Sequence, residues 1–396
     1  MTQTAFSFLS AGEIRFGRGV SAAVAEELAA RYQRILLVRG ANPARSAHFC
    51  DVFRDKGASV TPISILREPA LEDIEAALIT ARDANIQAVI SLGGGAVIDA
   101  GKAIAALVSS TGPVQDYLEV VGTSRRLEHD PLPFIAIPTT FGTGAEVTKN
   151  AVIDVPEHQR KVSLRDNRML PTLAVIDPAL NDHCPRSVTL ASGLDAITQV
   201  IEPYLCSRAN PMTDALCRDA IPRGLNALAS LMQEESTEAR DEMAWTSLCG
   251  GLALANAGLG VIHGLAGPLG GVSSAPHGAI CGALLPYGLA LNLSQLPEDA
   301  LVRKRFQEVA VWISQSLGGS PDMAFETLRQ WSRDAGLNTL KELGIGDELL
   351  KGVAEAAGAS SSMKANPVSL SAEDLLQMLT LAHQGKALSL QDTTTL

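Results

Sequence analysis

The sequence predicts an α/β protein with an open parallel sheet in its N-terminal half and an all-α C-terminal half. Three observations predict this class. Short apolar runs alternate with segments of helical spacing, two of the runs end in loops rich in glycine or threonine, and strand signals stop after Pro178. Alternating strands and helices imply parallel pairing through right-handed crossovers. We therefore expect an α/β domain over residues 1–180 and a helical domain over residues 181–396.

The predicted strands are short runs of Val, Ile, Leu and Ala, bounded by glycine, proline or polar residues. They lie at residues 34–38, 88–92, 134–137 and 173–176. Runs of this length and composition favour buried strands over helices. Between them, helical spacing appears at Leu71, Ile74, Ala77, Leu78 and Ala81, and again over residues 97–108.

The second half consists of long segments rich in alanine and leucine. Helices are predicted at residues 190–205, 213–232 and 239–257, and in the segment after Pro286. The last residues, 391–396, are expected to fray.

Charge and cysteine content indicate which partners and which cellular compartment to expect. The net charge is −11 and no run of five like charges occurs, which argues against a nucleic-acid partner. Six widely spaced cysteines without a C-x-x-C pair indicate reduced thiols of a cytoplasmic protein. The N-terminal segment lacks the basic and apolar regions of a signal peptide. Residues 278–293 are too short and too interrupted to span a membrane.

The apolar residues also suggest self-association. Hydrophobic residues make up 46% of the chain, and charged residues only 19%. Because so apolar a chain either buries its surface well or shares it with another copy, we expect a homo-oligomer, in the simplest case a dimer.

A triple-glycine loop follows the second predicted strand, in the sequence SLGGGAVIDAGKAIA (residues 91–105). Glycines permit close backbone approach, and the N–H groups of a helix start favour an anion such as a pyrophosphate. The segment fails the P-loop pattern because five residues separate Gly95 from Gly101 and Ala103 follows Lys102. It also lacks the third glycine of G-x-G-x-x-G, since Ile98 stands there. The alternative interpretation is a tight turn that packs a helix on a strand.

A second donor-rich loop, PTTFGTGAEVT (residues 138–148), follows the next strand. Threonine hydroxyls are suited to phosphate and ribose groups. Ligands of open α/β sheets bind at the carboxyl ends of strands, so two such loops favour a dinucleotide crevice.

The helical half contains a candidate metal constellation. Asp195 and Gln199 are four residues apart and share one helical face. His263 lies in VIHGLAGPLGG and His277 in APHGAICG. A carboxylate with imidazoles is a ligand set for iron or zinc. Taken singly, Asp195 could instead cap a helix and His277 could be a turn residue.

Ordered sequence blocks make the chain resemble the iron-containing (group III) alcohol dehydrogenases. The blocks are GGGAVIDAGKAIA, PTTFGTGAEVT, SGLDAITQVIEPY, NAGLGVIHGLAGPLGG and PHGAICGALLPY, and the opening EIRFGRG resembles the family's first strand. The resemblance implies an N-terminal dinucleotide-binding domain with a Rossmann-like sheet, a helical domain, and a cleft that holds NAD or NADP and a divalent metal. It implies an NAD(P)-dependent oxidoreductase that interconverts a small-molecule alcohol and an aldehyde or ketone.

The same resemblance assigns site residues. The cofactor set is Gly94, Gly95, Ala96, Asp99, Thr139, Thr140, Thr143, Thr148, Asn150 and Lys161. The metal set is Asp195, Gln199, His263 and His277, of which the two histidines are also the catalytic candidates.

Two positions depart from the family pattern. Gln199 stands where members usually have histidine, and an amide is a poorer ligand than imidazole for iron or zinc. Gly267 stands where members commonly have a second histidine that contacts substrate and relays a proton. The site therefore binds its metal weakly, or works without metal as a maleylacetate-reductase-like reductase of an oxo-acid.

Further alternatives concern the reaction and the cofactor. A lyase of the dehydroquinate-synthase-like superfamily and a catalytically silent nucleotide-binding homologue share the two-domain plan. After the first predicted strand, Arg39 and Gly40 stand where an acid would exclude NADP, so NADP is permitted beside NAD.

Overall fold

The computed structural model describes residues 5–158 and 160–388, so the predicted fraying of residues 391–396 falls outside the described part of the chain. Its strands are β1 (Glu13–Phe16), β2 (Arg34–Arg39), β3 (Ser59–Ser64), β4 (Ala88–Gly93), β5 (Phe134–Pro138), β6 (Asn150–Val155), β7 (Arg160–Arg165) and β8 (Leu173–Ile176). Its helices are α1 (Val20–Arg31), α2 (Ala47–Asp55), α3 (Leu71–Asp83), α4 (Gly95–Leu107), α5 (Arg186–Leu205), α6 (Pro211–Leu231), α7 (Thr237–Asn256), α8 (Val261–Gly271), α9 (His277–Gln295), α10 (Arg303–Leu317), α11 (Ala324–Asp334), α12 (Leu350–Ala357) and α13 (Ala372–Gln384). Short 3₁₀ turns connect several of them.

Six of the strands form one parallel sheet in the order β1-β8-β5-β4-β2-β3. Every pairing in this sheet is parallel. The strand order reverses between β2 and β4, and such a switch point opens a crevice at the carboxyl ends of the strands. The predicted open parallel sheet is confirmed, and all four predicted strands belong to it.

The centre of the sheet is covered closely by a helix. Every residue of β4 is buried, and most of α4 is buried as well. Gly101 on α4 faces β4 so closely that an added Cβ would lie 2.0 Å from Ser91 Oγ. The glycine therefore lets α4 pack directly on the strand that carries the triple-glycine loop.

The sequence did not predict β3 at the edge of the main sheet, nor the pair β6 and β7. β6 and β7 form an antiparallel ribbon apart from the main sheet. The apolar run of β6 in NAVIDV is only three residues long, and RKVSLR of β7 is mostly polar, so neither stands out as an apolar run.

Contacts divide the chain into two compact units. Among the described residues, one unit comprises Leu9–Asp182, and the other comprises residues 183–388 together with residues 5–8. After β8, the described part of the chain contains helices and turns but no strand. The predicted all-α second half is thus confirmed, although α9 already begins at His277 and contains Pro286 within the helix.

Among the described residues, no single helix is both long and apolar enough to cross a bilayer. Only the pair α7 and α8, bent by 96°, meets the length and composition criteria together.

Candidate metal and cofactor site

Three helices of the helical unit bring four potential metal ligands together. Asp195 lies on α5, His263 on α8, and His277 and Cys281 on α9. One donor atom from each lies within 4.8 Å of the others. Asp195 Oδ1 is 3.5 Å from His263 Nε2 and 3.9 Å from His277 Nε2. Three of the four predicted metal residues therefore converge, and a cysteine that the sequence analysis did not select joins them.

A glycine permits this convergence. An added Cβ at Gly278 would lie 2.3 Å from the carbonyl oxygen of Ala191 and 3.1 Å from Asp195 Cβ. The start of α9 can therefore lie directly against α5, next to the aspartate. His277 is the first residue of α9, which places its side chain beside Asp195.

Glu202 lies on α5 about two turns beyond Asp195 and orients the ring of His263. Its carboxylate lies 2.6 Å from His263 Nδ1 and also accepts a hydrogen bond from the backbone N–H of Ile262 at 2.7 Å. An anion at a helix N-terminus is favoured by the helix dipole. Gly260 allows this approach, because a Cβ there would lie 2.9 Å from Glu202 Oε1. The carboxylate thus fixes the ring of His263, with Nε2 directed at Asp195.

The cluster contains buried polar atoms without partners. Asp195 Oδ1 and His263 Nε2 make no hydrogen bond within the described chain, although the two side chains are only 2% and 7% exposed. An unpaired buried polar atom costs about 1–3 kcal/mol. The donor set therefore fits a cation bound between these side chains.

Interactions within the cluster shift the pKa values of its side chains. Burial by itself opposes the shift, yet the neighbouring imidazoles hold the pKa of Asp195 below its usual value. Interaction with Cys281, and then with Asp195, raises the pKa of His277 to about 9, although burial opposes the charged form. Burial opposes the charged form of His263, but Cys281, Asp195 and Glu202 raise its pKa well above the usual value. The acidic groups of the cluster therefore favour positive charge on its imidazoles.

The two departures from the family pattern flank this cluster. Gln199 is buried on α5, one turn beyond Asp195, and its Cβ lies 3.3 Å from the position that a Cβ at Gly250 would take. Gly267 lies one turn beyond His263 on α8, and an added Cβ there would meet nothing within 4 Å. The missing side chain at Gly267 therefore leaves open space beside that histidine.

The two predicted cofactor loops of the α/β unit meet at adjacent strand ends. Gly93 pairs with Pro138, and the N–H of Thr139 donates to the carbonyl of Gly93 at 2.9 Å. A Cβ at Gly94 would lie 2.9 Å from Thr140 Oγ1. A Cβ at Gly95 would likewise lie 2.8 Å from Thr143 Oγ1. The glycines thus keep the backbone at the start of α4 next to these two hydroxyls; Ala96 follows in the first turn.

The remaining predicted cofactor residues make contacts within the protein. Asp99 Oδ2 accepts from the N–H of Val152 at 3.1 Å and so connects α4 to β6. Lys161 on β7 forms an ion pair with Glu68.

Thr148 and Asn150 surround a buried lysine that the sequence analysis did not single out. Lys102 Nζ donates to Thr148 Oγ1 at 2.9 Å and to the carbonyls of Ala145 and Asn150 at 2.7 Å each. Burial lowers the pKa of Lys102 to about 8. These contacts hold the threonine-rich loop and β6 against α4.

Sequence reasoning missed Cys281 and Glu202 as site residues. Cys281 follows His277 by four residues, so the H-x-x-x-C spacing on one helical face was an available signal. Glu202 carried no comparable signal, because it contacts a histidine 61 residues away.

Comparisons with known proteins agree with a nucleotide-dependent oxidoreductase built from these two units. The family model for iron-containing alcohol dehydrogenase matches residues 11–178, and the model for the C-terminal part of that family matches residues 189–383. Alcohol dehydrogenase 4 of Saccharomyces cerevisiae is 33% identical over 318 residues, which cover 80% of this chain and 81% of the yeast protein. Lactaldehyde reductase of Escherichia coli is 31% identical over 369 residues, which cover 92% of this chain and 96% of the bacterial protein. A crystal structure of 1,3-propanediol oxidoreductase superposes with a TM-score of 0.86 at 27% identity, covering 96% of this chain and all of that one.

The class that the fold and these comparisons define is an alcohol- or carbonyl-converting oxidoreductase with a candidate metal centre. The chain belongs to the iron-containing alcohol dehydrogenase family. Enzymes of this family use NAD(H) and iron, and the cluster around Asp195 is the candidate site for the metal. The family match favours the dehydrogenase interpretation over the lyase alternative.

Proposed function

We propose that this chain transfers hydride between NAD(P) and a small-molecule alcohol or its aldehyde or ketone, with iron or zinc held by Asp195, His263 and His277. The observation that carries the proposal is the convergence of donor atoms from these side chains. Two of the atoms, Asp195 Oδ1 and His263 Nε2, are buried and have no hydrogen-bond partner among the described residues. Gln199 is the fourth ligand predicted from the sequence. A divalent cation at this centre would supply Lewis-acid stabilisation of charge on the substrate oxygen.

The chain's own residues prepare the centre. The Asp195 carboxylate supplies a buried negative charge, and Glu202 keeps His263 Nε2 directed at it. Such orienting carboxylates strengthen the binding of a metal by histidine. The side chain of His277 is 36% exposed, which makes it the most accessible of the three proposed ligands. Gly267 has no side chain that could pass a proton, so the proton must reach the product by another group or by water.

The cofactor is proposed to lie on the loops after β4 and β5. Gly94, Gly95 and Ala96 offer backbone N–H groups at the start of α4, and Thr140 and Thr143 lie beside them. This arrangement suits a pyrophosphate. Thr139, Asp99, Thr148, Asn150 and Lys161 complete the proposed cofactor region.

Either nicotinamide cofactor is compatible with the end of β2. Arg39 is the last residue of that strand, beside the switch point, and donates to Ser46 Oγ at 3.2 Å and to Ser64 Oγ at 3.4 Å. We propose that NADP is accepted beside NAD, because an arginine there favours a 2′-phosphate where an acid would repel it.

We also propose that the enzyme acts in the cytoplasm as a homodimer on a small-molecule substrate, without a nucleic-acid or membrane partner. All six cysteines are free thiols, and five of them are buried, as suits a reducing compartment. The acidic net charge of −11 disfavours a nucleic-acid partner.

The proposal is tested by elemental analysis of gently purified protein together with NADH and NADPH oxidation on a panel of aldehydes, ketones and oxo-acids. We expect near-stoichiometric iron or zinc, turnover of an aldehyde or ketone, and loss of turnover on chelation that the metal restores. Full activity in chelated, metal-free protein would contradict the metal-dependent mechanism.

A second candidate is a metal-independent reductase of an oxo-acid. The glutamine at position 199 and the raised pKa of His277, about 9, favour it. A protonated histidine can stabilise charge on a carbonyl oxygen and donate a proton. Turnover of an oxo-acid that is insensitive to chelators would select this candidate.

A further inference from the structure

Cys281 supplies a donor that the predicted ligand set lacks. Its Sγ lies 3.5 Å from His277 Nε2, and the thiol is buried on the second turn of α9. Because Cys281 and His277 are four residues apart on one helix, both side chains lie on the same face. That face is turned toward Asp195 by the close approach at Gly278.

Three of the six separations between the four donor atoms are close to those of a tetrahedral metal site, and all six are below 4.8 Å. Bonds of about 2.0–2.3 Å to a central ion place neighbouring ligand atoms about 3.3–3.8 Å apart. The measured separations are 3.5 Å for Asp195 to His263, 3.5 Å for Cys281 to His277, and 3.9 Å for Asp195 to His277. The four side chains therefore need little movement to enclose one ion.

A second observation, independent of the cysteine, indicates a ligand at the same place. Asp195 Oδ1 and His263 Nε2 are buried, lack hydrogen-bond partners in the described chain and face each other across this centre. Without a ligand, both atoms lack a hydrogen bond and are compensated for desolvation only by their mutual attraction at 3.5 Å.

We propose that Cys281 coordinates the metal as a thiolate and takes the position that the sequence assigned to the Gln199 amide. This inference rests on the proposed metal-dependent function. The thiol proton passes to solvent as the metal–sulfur bond forms. A thiolate is a softer and stronger ligand than an amide oxygen, so the centre prefers zinc, cobalt or iron to Mg²⁺.

The test replaces the native metal with Co²⁺ in the full-length protein and records its absorption spectrum. A cobalt–thiolate bond produces an intense near-ultraviolet charge-transfer band, whereas oxygen and imidazole ligands do not. We expect this band in the wild-type protein and in Gln199→Ala, and its loss in Cys281→Ser. Zinc affinity of Cys281→Ser should fall by more than about 100-fold, because loss even of outer-shell partners costs 10–100-fold.

Cys50→Ser is the matched control, because Cys50 lies on α2 in the other unit. This variant should leave the charge-transfer band and the zinc affinity unchanged. The wild-type spectrum tests the proposal even if Cys281→Ser fails to fold. Bound Co²⁺ without the band, or unchanged zinc affinity in folded Cys281→Ser, overturns thiolate coordination but leaves the metal-dependent function intact. Turnover by protein that binds neither Co²⁺ nor zinc overturns both.

Discussion

The carboxylate of Glu202 lies 2.6 Å from Nδ1 of His263, and the opposite ring nitrogen lies 3.5 Å from Asp195. Both carboxylates belong to α5, on which they are seven residues, about two turns, apart. One helix thus supplies a proposed metal ligand and also orients a second ligand that α8 carries.

Glu202→Gln should therefore weaken metal binding while it preserves the shape of the side chain. The variant removes the charge that fixes the His263 ring, and we expect zinc affinity to fall about 10–100-fold. Competition with a chromophoric chelator measures the change. Glu308→Gln serves as control, because Glu308 pairs with Tyr204 and Arg218 and with no member of the cluster. Equal affinities in the wild type and Glu202→Gln would refute the orienting role.

Gly278→Ala should separate α9 from α5. Its Cβ would lie 2.3 Å from the backbone oxygen of Ala191, which cannot move without displacing the helix. We expect the free energy of unfolding to fall by about 1–3 kcal/mol, and metal content to fall with it. Chemical denaturation and elemental analysis measure the two effects.

Gly352→Ala is the matched control for that substitution. Gly352 lies within α12, and an added Cβ there would meet nothing within 4 Å. Replacement of a helical glycine by alanine should stabilise the protein by about 0.5–1 kcal/mol. If both variants shifted stability in the same direction, the close approach at Gly278 would not be the cause.

The α/β framework could be predicted because its signals are local. The runs at β2, β4, β5 and β8 are short, apolar and bounded by turn residues, so their pattern indicates buried strands. The β6–β7 ribbon was not predicted because the apolar run of β6, Ala151 to Ile153, is only three residues long, and the apolar residues of β7 are only Val162 and Leu164.

The candidate site could be predicted in part for the same reason. The sequence blocks identified Asp195, His263 and His277, and the structure brings them together. The contact of Glu202 with His263 depends on where the N-terminal end of α8 meets α5, which no local pattern encodes. The approach at Gly278 depends on α9 beginning at His277, earlier than the sequence predicted because Pro286 is accommodated within the helix.

Gly94→Ala should impair cofactor binding without affecting the metal. Its Cβ would lie 2.9 Å from Thr140 Oγ1, so the hydroxyl beside the proposed pyrophosphate position must move. We expect the Kd for NADH or NADPH to rise about tenfold, which corresponds to about 1.4 kcal/mol. Calorimetric titration measures the Kd, and elemental analysis should give unchanged metal content. A variant that binds the cofactor as the wild type does would exclude this loop from the cofactor site.

The free energy of unfolding should fall at acidic pH because of Glu235. Arg240, which is 3% exposed, donates to Glu235 at 2.7 Å, and this hydrogen bond lowers the pKa of Glu235 to about 2 from 4.5. A lowered carboxyl pKa contributes stability above pH 4.5 and loses it as the pH falls toward 2. Because Glu235 is 37% exposed, we expect the ion pair to contribute only about 1 kcal/mol to the free energy of unfolding.

Glu235→Gln isolates this contribution. The difference in unfolding free energy between wild type and variant should be largest near neutral pH and should shrink as the pH falls through the window between 4.5 and about 2. Urea denaturation at a series of pH values measures it. A difference that is independent of pH would show that the ion pair does not contribute in this way.

The most direct test of the central claim is anomalous X-ray diffraction from crystals of the zinc-loaded protein, with data collected on both sides of the zinc absorption edge. We predict one strong anomalous peak bounded by Asp195 Oδ1, His263 Nε2, His277 Nε2 and Cys281 Sγ. A peak at another site, or none in crystals whose protein still reduces an aldehyde, would contradict a metal centre in the helical unit.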